Sequence, residues 1–177
     1  MCDRSIRDLI VIAGPPGVGK TTVANLVNWS GRYQIIESDA IWSNLYTEPD
    51  FSIEQSRSVF RWISNHVARS LLLGANIIVD GVFASQERIE TMRTLAKQYN
   101  ARLNVFVLVC DWLMAKKRIQ ARSVRTGRPL VDEDHWRFLR LELETWCHQS
   151  GSTVVDTTEL TSVEASNILI SLVQDLE

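Results

Sequence analysis

One octapeptide constrains this chain more than anything else in it. Gly14-Pro15-Pro16-Gly17-Val18-Gly19-Lys20-Thr21 matches the pattern G-x-x-x-x-G-K-[ST] in full. The apolar run Leu9–Ala13 reads as a strand before it, and a helix is expected after it, from about Lys20 to Asn28. Glycines let the backbone turn tightly, so that several N–H groups converge on one point. The start of the helix adds the positive end of its dipole. Such a turn holds the tail of a nucleoside triphosphate, with Gly14, Pro15, Pro16, Gly17, Val18, Gly19, Lys20, Thr21 and Thr22 as the cradle. Lys20 brings a mobile positive charge to the β- and γ-phosphates. The Thr21 hydroxyl is a ligand for the Mg2+ that accompanies the triphosphate.

The rest of the chain alternates short β-branched runs with longer helical stretches. Strands are expected at Tyr33–Ile36, Asn76–Val79, Leu103–Val109 and Thr153–Val155. Val59, Ile63 and Val67 recur every four residues in a helix from Ser52 to Leu73, with Gly74 as its stop. Ser85 and Asp111 are read as caps of the next two helices, the second running to about Val124. After a break at Gly127-Arg128-Pro129, Trp136, Leu139, Leu143 and Trp146 keep helical register, and Thr161-Ser162-Val163-Glu164 is a capping box for a last helix. Strands that read as uninterrupted apolar runs between helices imply an α/β fold, a parallel sheet with helices on both faces. The 177 residues suit a single domain over 1–177. In such a sheet ligands bind at the carboxyl ends of the strands.

Composition excludes several function classes. A net charge of −2 gives no basic face for nucleic acid. Apolar runs such as Leu71-Leu72-Leu73 and Val105–Cys110 are too short to cross a bilayer and read as core. No apolar stretch precedes the first strand, so no secretory signal is expected. Cys2, Cys110 and Cys147 lack metal-ligand spacing and fit reduced thiols in a cytoplasm, with Cys110 as core. His66, His135 and His148 are scattered and carry no catalytic assignment.

Beyond the phosphate cradle, three groups carry chemistry. After the second strand, the Asp39 of Glu37-Ser38-Asp39 faces the γ-phosphate, where a carboxylate accepts the proton of an attacking hydroxyl and orients it. The bland alternative is that Asp39 caps the segment Ala40–Leu45. A kinase acting on a phosphate acceptor needs an arginine about three residues further on. Trp42 stands there, which favours a hydroxyl acceptor with Trp42 in its pocket. Phe51 and Trp62 are read as core. After the third strand, Asp80-Gly81 offers a carboxylate for a metal-bound water or for the acceptor.

The third group is an arginine stripe. Arg118, Arg122 and Arg125 are four and three residues apart, on one side of a helix, and Arg128 follows. They lead into Ser123–Val131, the stretch expected to move as a lid, placed at about 118–131. Arg118 and Arg122 are the candidates for stabilising the transferring phosphoryl group, and Arg122 for the nucleotide. Asp156-Thr157-Thr158 is a weaker candidate for contact with the adenine edge.

Together these residues resemble the superfamily of P-loop small-molecule kinases, AAA-type kinases that include polynucleotide 5′-kinase domains, zeta toxins, chloramphenicol phosphotransferase, gluconate kinase and shikimate kinase. Gly14–Thr21 is similar to their phosphate loop, Ser38-Asp39 to the pair that carries their general base, Ile77–Asp80 to the strand whose Asp meets acceptor or metal water, and Arg118–Arg128 to their lid. The resemblance implies a three-layer α/β/α fold with a five-stranded parallel sheet ordered 2-3-1-4-5. It implies an ATP- and Mg2+-dependent phosphotransferase acting on a hydroxyl-bearing small molecule, with Lys20, Asp39, Arg118 and Arg122 catalytic, Asp39, Trp42 and Asp80 at the acceptor, and Thr21 and Asp80 at the metal. Two alternatives stay open: a nucleotide kinase, and an ATP-binding regulatory module with little turnover.

Overall fold

Strand β1 (Arg7–Ala13) is buried from Asp8 onward, its residues alternating between two faces that are both covered. Leu9, Val11 and Ala13 enter one apolar core and Ile10 and Ile12 the other. A strand can be apolar throughout only when helices lie above and below it. The computed structural model of the protein describes residues 6–126, 130–148 and 151–174.

The elements follow in the order α1 (Lys20–Val27), β2 (Tyr33–Glu37), α2 (Ser38–Leu45), α3 (Ile53–Leu72), β3 (Asn76–Gly81), α4 (Gln86–Gln98), β4 (Ala101–Val109), α5 (Trp112–Thr126), α6 (Glu133–Cys147), β5 (Thr153–Asp156) and α7 (Ser162–Gln174). The five strands form one parallel sheet ordered β2-β3-β1-β4-β5, as the resemblance implies. The register sets Ala13 opposite Gly81 and Val107, and Glu37 opposite Asp80. The carboxyl ends of β1, β2, β3 and β4 therefore share one rim, from which the loops carrying the candidate residues rise.

One core joins α3, α4 and the end of α6 to the sheet, and the other joins α1, α5 and α7. On α3 the buried Val59, Ile63, Val67 and Leu71 form the expected stripe, each side chain worth roughly 1.5–3 kcal/mol when removed from water. At the opposite rim the fully buried Asp8 is held by Arg102 at 2.8 Å and Arg32 at 3.5 Å, and accepts from the Tyr33 hydroxyl at 3.3 Å. This network ties β1, β2 and β4 together at their start.

The structure departs from sequence expectation in several places. Of Leu71-Leu72-Leu73 only Leu71 is buried, because consecutive residues near a helix end point about 100° apart and only one can face the sheet. Phe51 and Trp62 are exposed rather than core. Phe51 packs on Trp42 with ring centroids 5.0 Å apart, and Trp62 stacks on His66 at 4.8 Å. Ser85 takes the N-cap position of α4, yet its hydroxyl makes no capping bond. Asp111 does cap α5, accepting from Met114 N at 2.6 Å, and the capping box at Thr161 and Glu164 forms in both directions. Positions 123–126 belong to α5 rather than to a loop, whereas Gly127, Arg128 and Pro129 lie outside the described residues, as does Cys2. Cys110 is core, and burial pushes its thiol above the ordinary cysteine range. Among the described residues no helix is long and apolar enough to cross a membrane.

Candidate active site

The turn between β1 and α1 exists because its glycines do what no other residue does. At Gly14, with φ +151°, a Cβ atom would stand 2.4 Å from the carbonyl oxygen of Leu108 on β4. At Gly17, with φ +85°, it would stand 2.7 Å from the carbonyl oxygen of Ala115 on α5. Backbone thus presses on backbone where any side chain would hold it off.

Three side chains outside the turn fix its shape. The Trp136 indole N–H, from α6, donates to the Pro16 carbonyl at 2.8 Å. The buried Thr157 hydroxyl, just after β5, lies 2.9 Å from the Val18 carbonyl and 3.0 Å from that of Val109. Thr21 donates its hydroxyl proton to Asp80 Oδ2 in a very short bond. The Lys20 ammonium rests on its own turn, donating to the Pro15 carbonyl at 3.1 Å.

Asp80 ends β3 almost fully buried, so its carboxylate is held rigidly against Thr21. A hydroxyl and a carboxylate side by side form an oxygen donor pair suited to a hard cation such as Mg2+. Among the described residues no three or more His, Cys, Asp or Glu side chains gather as a metal cluster. A metal here would share its coordination with its nucleotide, as Mg2+ commonly does.

Asp39 is the second residue of α2, inside the helix rather than at its cap. Its half-exposed carboxylate opens to the cleft, with Arg122 Nη1 3.9 Å away. Arg122, from α5, keeps its Nε buried with no hydrogen-bond partner among the described residues. Arg118 turns the other way and donates to the carbonyl of Thr157 at 2.9 Å and to its hydroxyl at 3.3 Å. The stripe therefore divides: Arg122 reaches Asp39, Arg118 braces the loop after β5, and Arg125 stays exposed at the rim. Arg128 lies outside the described residues. Glu37 precedes α2 with no capping bond.

One cleft of about 1270 Å³ runs along this rim and is lined by the phosphate turn, Asp39, Trp42, Asp80, Arg118 and Arg122. The candidates scattered over more than a hundred positions of sequence thus line one cavity. Trp42 stacks obliquely on Tyr46 and Phe51, at 5.8 and 5.0 Å, to form an aromatic wall. Beyond the candidates, sequence reasoning left two residues of this cleft region without a role there, and it took Thr157 only as a weaker candidate for contact with the adenine edge, whereas its hydroxyl bonds the Val18 carbonyl inside the turn. Trp136 was legible only as a helix-face apolar residue. Arg88, in the first turn of α4, was passed over, although a cation there opposes the helix dipole and so carried a signal.

The shape and the sequence have relatives. An AAA domain family matches residues 9–145. The chain is 26% identical over 129 residues to a shikimate kinase of Corynebacterium diphtheriae, a stretch covering 72% of this chain and 69% of that protein. It superposes on the crystal structure of a gluconokinase from Sinorhizobium meliloti with TM-score 0.70 at 19% identity, covering 98% of this chain and 95% of the other. It superposes on a tunicamycin resistance protein of Deinococcus radiodurans with TM-score 0.68 at 20% identity, covering 94% and 95%. The match in sequence runs from the phosphate-loop strand into α6, and the chain belongs to this AAA domain family, with the fold of the P-loop small-molecule kinases.

Proposed function

We propose that the protein is an ATP-dependent phosphotransferase that moves the γ-phosphate to a hydroxyl group of a small-molecule acceptor. The observation that carries this reading is the position of Asp39, open to the cleft that the phosphate turn lines and 3.9 Å from Arg122. The sequence likeness to a shikimate kinase supports it.

In this reading the turn at 14–21 holds the triphosphate by its N–H groups, and Lys20 exchanges the Pro15 carbonyl for phosphate oxygens. Thr21 and Asp80 would hold Mg2+, which when bound neutralises charge on the phosphates. Asp39 accepts the proton of the acceptor hydroxyl and aims its lone pair. The hydroxyl oxygen forms a bond to the γ-phosphorus, the bond from that phosphorus to the β–γ bridging oxygen breaks, and ADP leaves. Arg122 offers its guanidinium to the charge spread over the three equatorial oxygens.

Asp39→Asn tests the reading. Acceptor-dependent ADP formation is expected to fall by about 10²–10⁴-fold while calorimetric ATP·Mg2+ binding persists. Turnover equal to that of the natural chain would sink the role of Asp39, and a protein that does not bind ATP·Mg2+ would sink the reading altogether.

A further inference from the structure

Every guanidinium named so far that lies close to a carboxylate has an evident electrostatic partner: Arg32 and Arg102 meet Asp8, and Arg122 meets Asp39. On the surface helices Arg93 meets Glu90, Arg137 meets Glu133 and Arg140 meets Glu144. Arg88 is different. It is half-buried in the wall of the cleft, and among the described residues no carboxylate lies within ion-pair distance of its guanidinium. Its contacts are the Ser56 hydroxyl on α3, which accepts from Nη2 at 2.6 Å, and the ring of Phe60, whose centroid is 5.2 Å from Cζ. A guanidinium carries five N–H donors, and one hydroxyl uses only one of them.

Withdrawing a permanent cation from water without a counter-charge is costly. Burial accordingly pulls the Arg88 pKa below the usual arginine value, with the field of neighbouring Glu87 opposing the shift. The helix adds to the cost, since its first turn presents N–H groups of the same sign. The N-cap Ser85 hydroxyl, which lines the same cleft, is not engaged in a capping bond either. With four of its five donors unused among the described residues, this half-buried cation sits here at a loss, and the loss is recovered when an anion enters.

The place is the acceptor's side of the cleft. The Arg88 guanidinium lies over Phe60, and Phe60 meets Phe83 edge to face at 6.1 Å. A Cβ on Gly81 would stand 3.1 Å from both the Phe83 ring and the Ser38 hydroxyl, and Ser38 precedes Asp39. Arg88 and Asp39 thus line the same cleft, with Phe60 and Phe83 packed between Arg88 and the Gly81–Ser38 contact. Resting on the phosphotransferase reading above, we propose that Arg88, with Ser56 beside it, receives an oxyanion of the acceptor, so that the acceptor is a hydroxyl-bearing acid with an apolar body rather than a neutral alcohol or sugar. The oxyanion is a carboxylate or a phosphate ester; both present two oxygens to a planar fork.

The test keeps the phosphate turn filled so that small anions cannot occupy it. Protein saturated with Mg2+ and the non-hydrolysable analogue AMPPNP is titrated with acetate and, separately, with inorganic phosphate, following tryptophan fluorescence and melting temperature. A saturable response is expected in the natural chain, with the dissociation constant raised at least about tenfold in Arg88→Gln and by less in Arg88→Lys, which keeps the charge but loses the fork. The anion that saturates at lower concentration assigns carboxylate or phosphate ester. Arg88→Lys carries the comparison if the glutamine variant does not fold. Variants that respond like the natural chain, or a natural chain that responds to neither anion while AMPPNP is bound, overturn the inference and leave the phosphotransferase reading standing. Failure to bind AMPPNP at all overturns that reading, and this inference with it.

Discussion

The indole N–H of Trp136 on α6 donates a 2.8 Å hydrogen bond to the carbonyl oxygen of Pro16, 120 positions earlier, inside the phosphate turn. The ring itself is buried, tilted against Trp112 at 5.4 Å. The segment that follows the candidate lid therefore holds the shape of the turn at 14–21.

Trp136→Phe keeps an aromatic ring and deletes the donor. It is expected to cost about 1–3 kcal/mol of stability, from the lost bond and the smaller ring. ATP binding should weaken by roughly three- to tenfold, up to about 1.4 kcal/mol. Thermal unfolding and calorimetry on the same sample check both effects. Unchanged affinity would mean that the turn keeps its shape unaided.

Two glycines of the turn should respond differently to alanine. Gly17→Ala meets the Ala115 carbonyl at 2.7 Å and must also hold φ at +85°, so ATP binding should be lost. Gly19→Ala has no neighbour within 4 Å of the new methyl and faces only its positive φ, a strain of about 1–2 kcal/mol. Nucleotide titration of the two variants side by side separates contact from strain.

The two inward arginines of α5 should separate kinetically. Arg118 donates to Thr157, so Arg118→Ala is expected to loosen the loop after β5 and raise the KM for ATP by about tenfold with a smaller change in kcat. Arg122 faces Asp39, so Arg122→Ala should lower kcat by about 10²-fold with ATP binding retained. Equal effects on both constants in both variants would dissolve the distinction.

The capping box of α7 gives a pH signature. Glu164 accepts from Thr161 N at 2.8 Å and from its hydroxyl at 2.7 Å, bonds that hold its carboxyl below the ordinary glutamate range, the backbone bond most of all. A carboxyl lowered on folding stabilises the protein above the unfolded value of about 4.3, and the gain fades as pH falls through the lower, folded value. Melting temperatures of the natural chain and Glu164→Gln should differ at neutral pH and converge in acid. A constant gap across that range would contradict the assignment.

How far the sequence could be read depended on whether a signal was local. The phosphate turn is contiguous and its neighbours read as strand and helix, so its place at the end of β1 was legible. Asp39 and Asp80 became candidates because each follows a strand end, the position that a parallel sheet turns towards ligand, and the stripe at 118–125 because its arginines recur at helical spacing. Phe51 and Trp62 were misjudged because an aromatic side chain has the same hydrophobicity whether it faces a core or a cleft mouth. The pairing of Trp136 with Pro16, and the solitude of Arg88 among carboxylates, are properties of chain segments that meet only on folding. No periodicity along the chain encodes them.

The central place of β1, with β3 and β2 to one side and β4 and β5 to the other, separates the two walls of the cleft. The elements around Asp39, Trp42 and Arg88 hang from the β2 and β3 flank, while Arg118 and Thr157 hang from the β4 and β5 flank. Changes in α2, the face of α3 and the start of α4 therefore fall on one wall of the cleft and leave the turn at 14–21 in place.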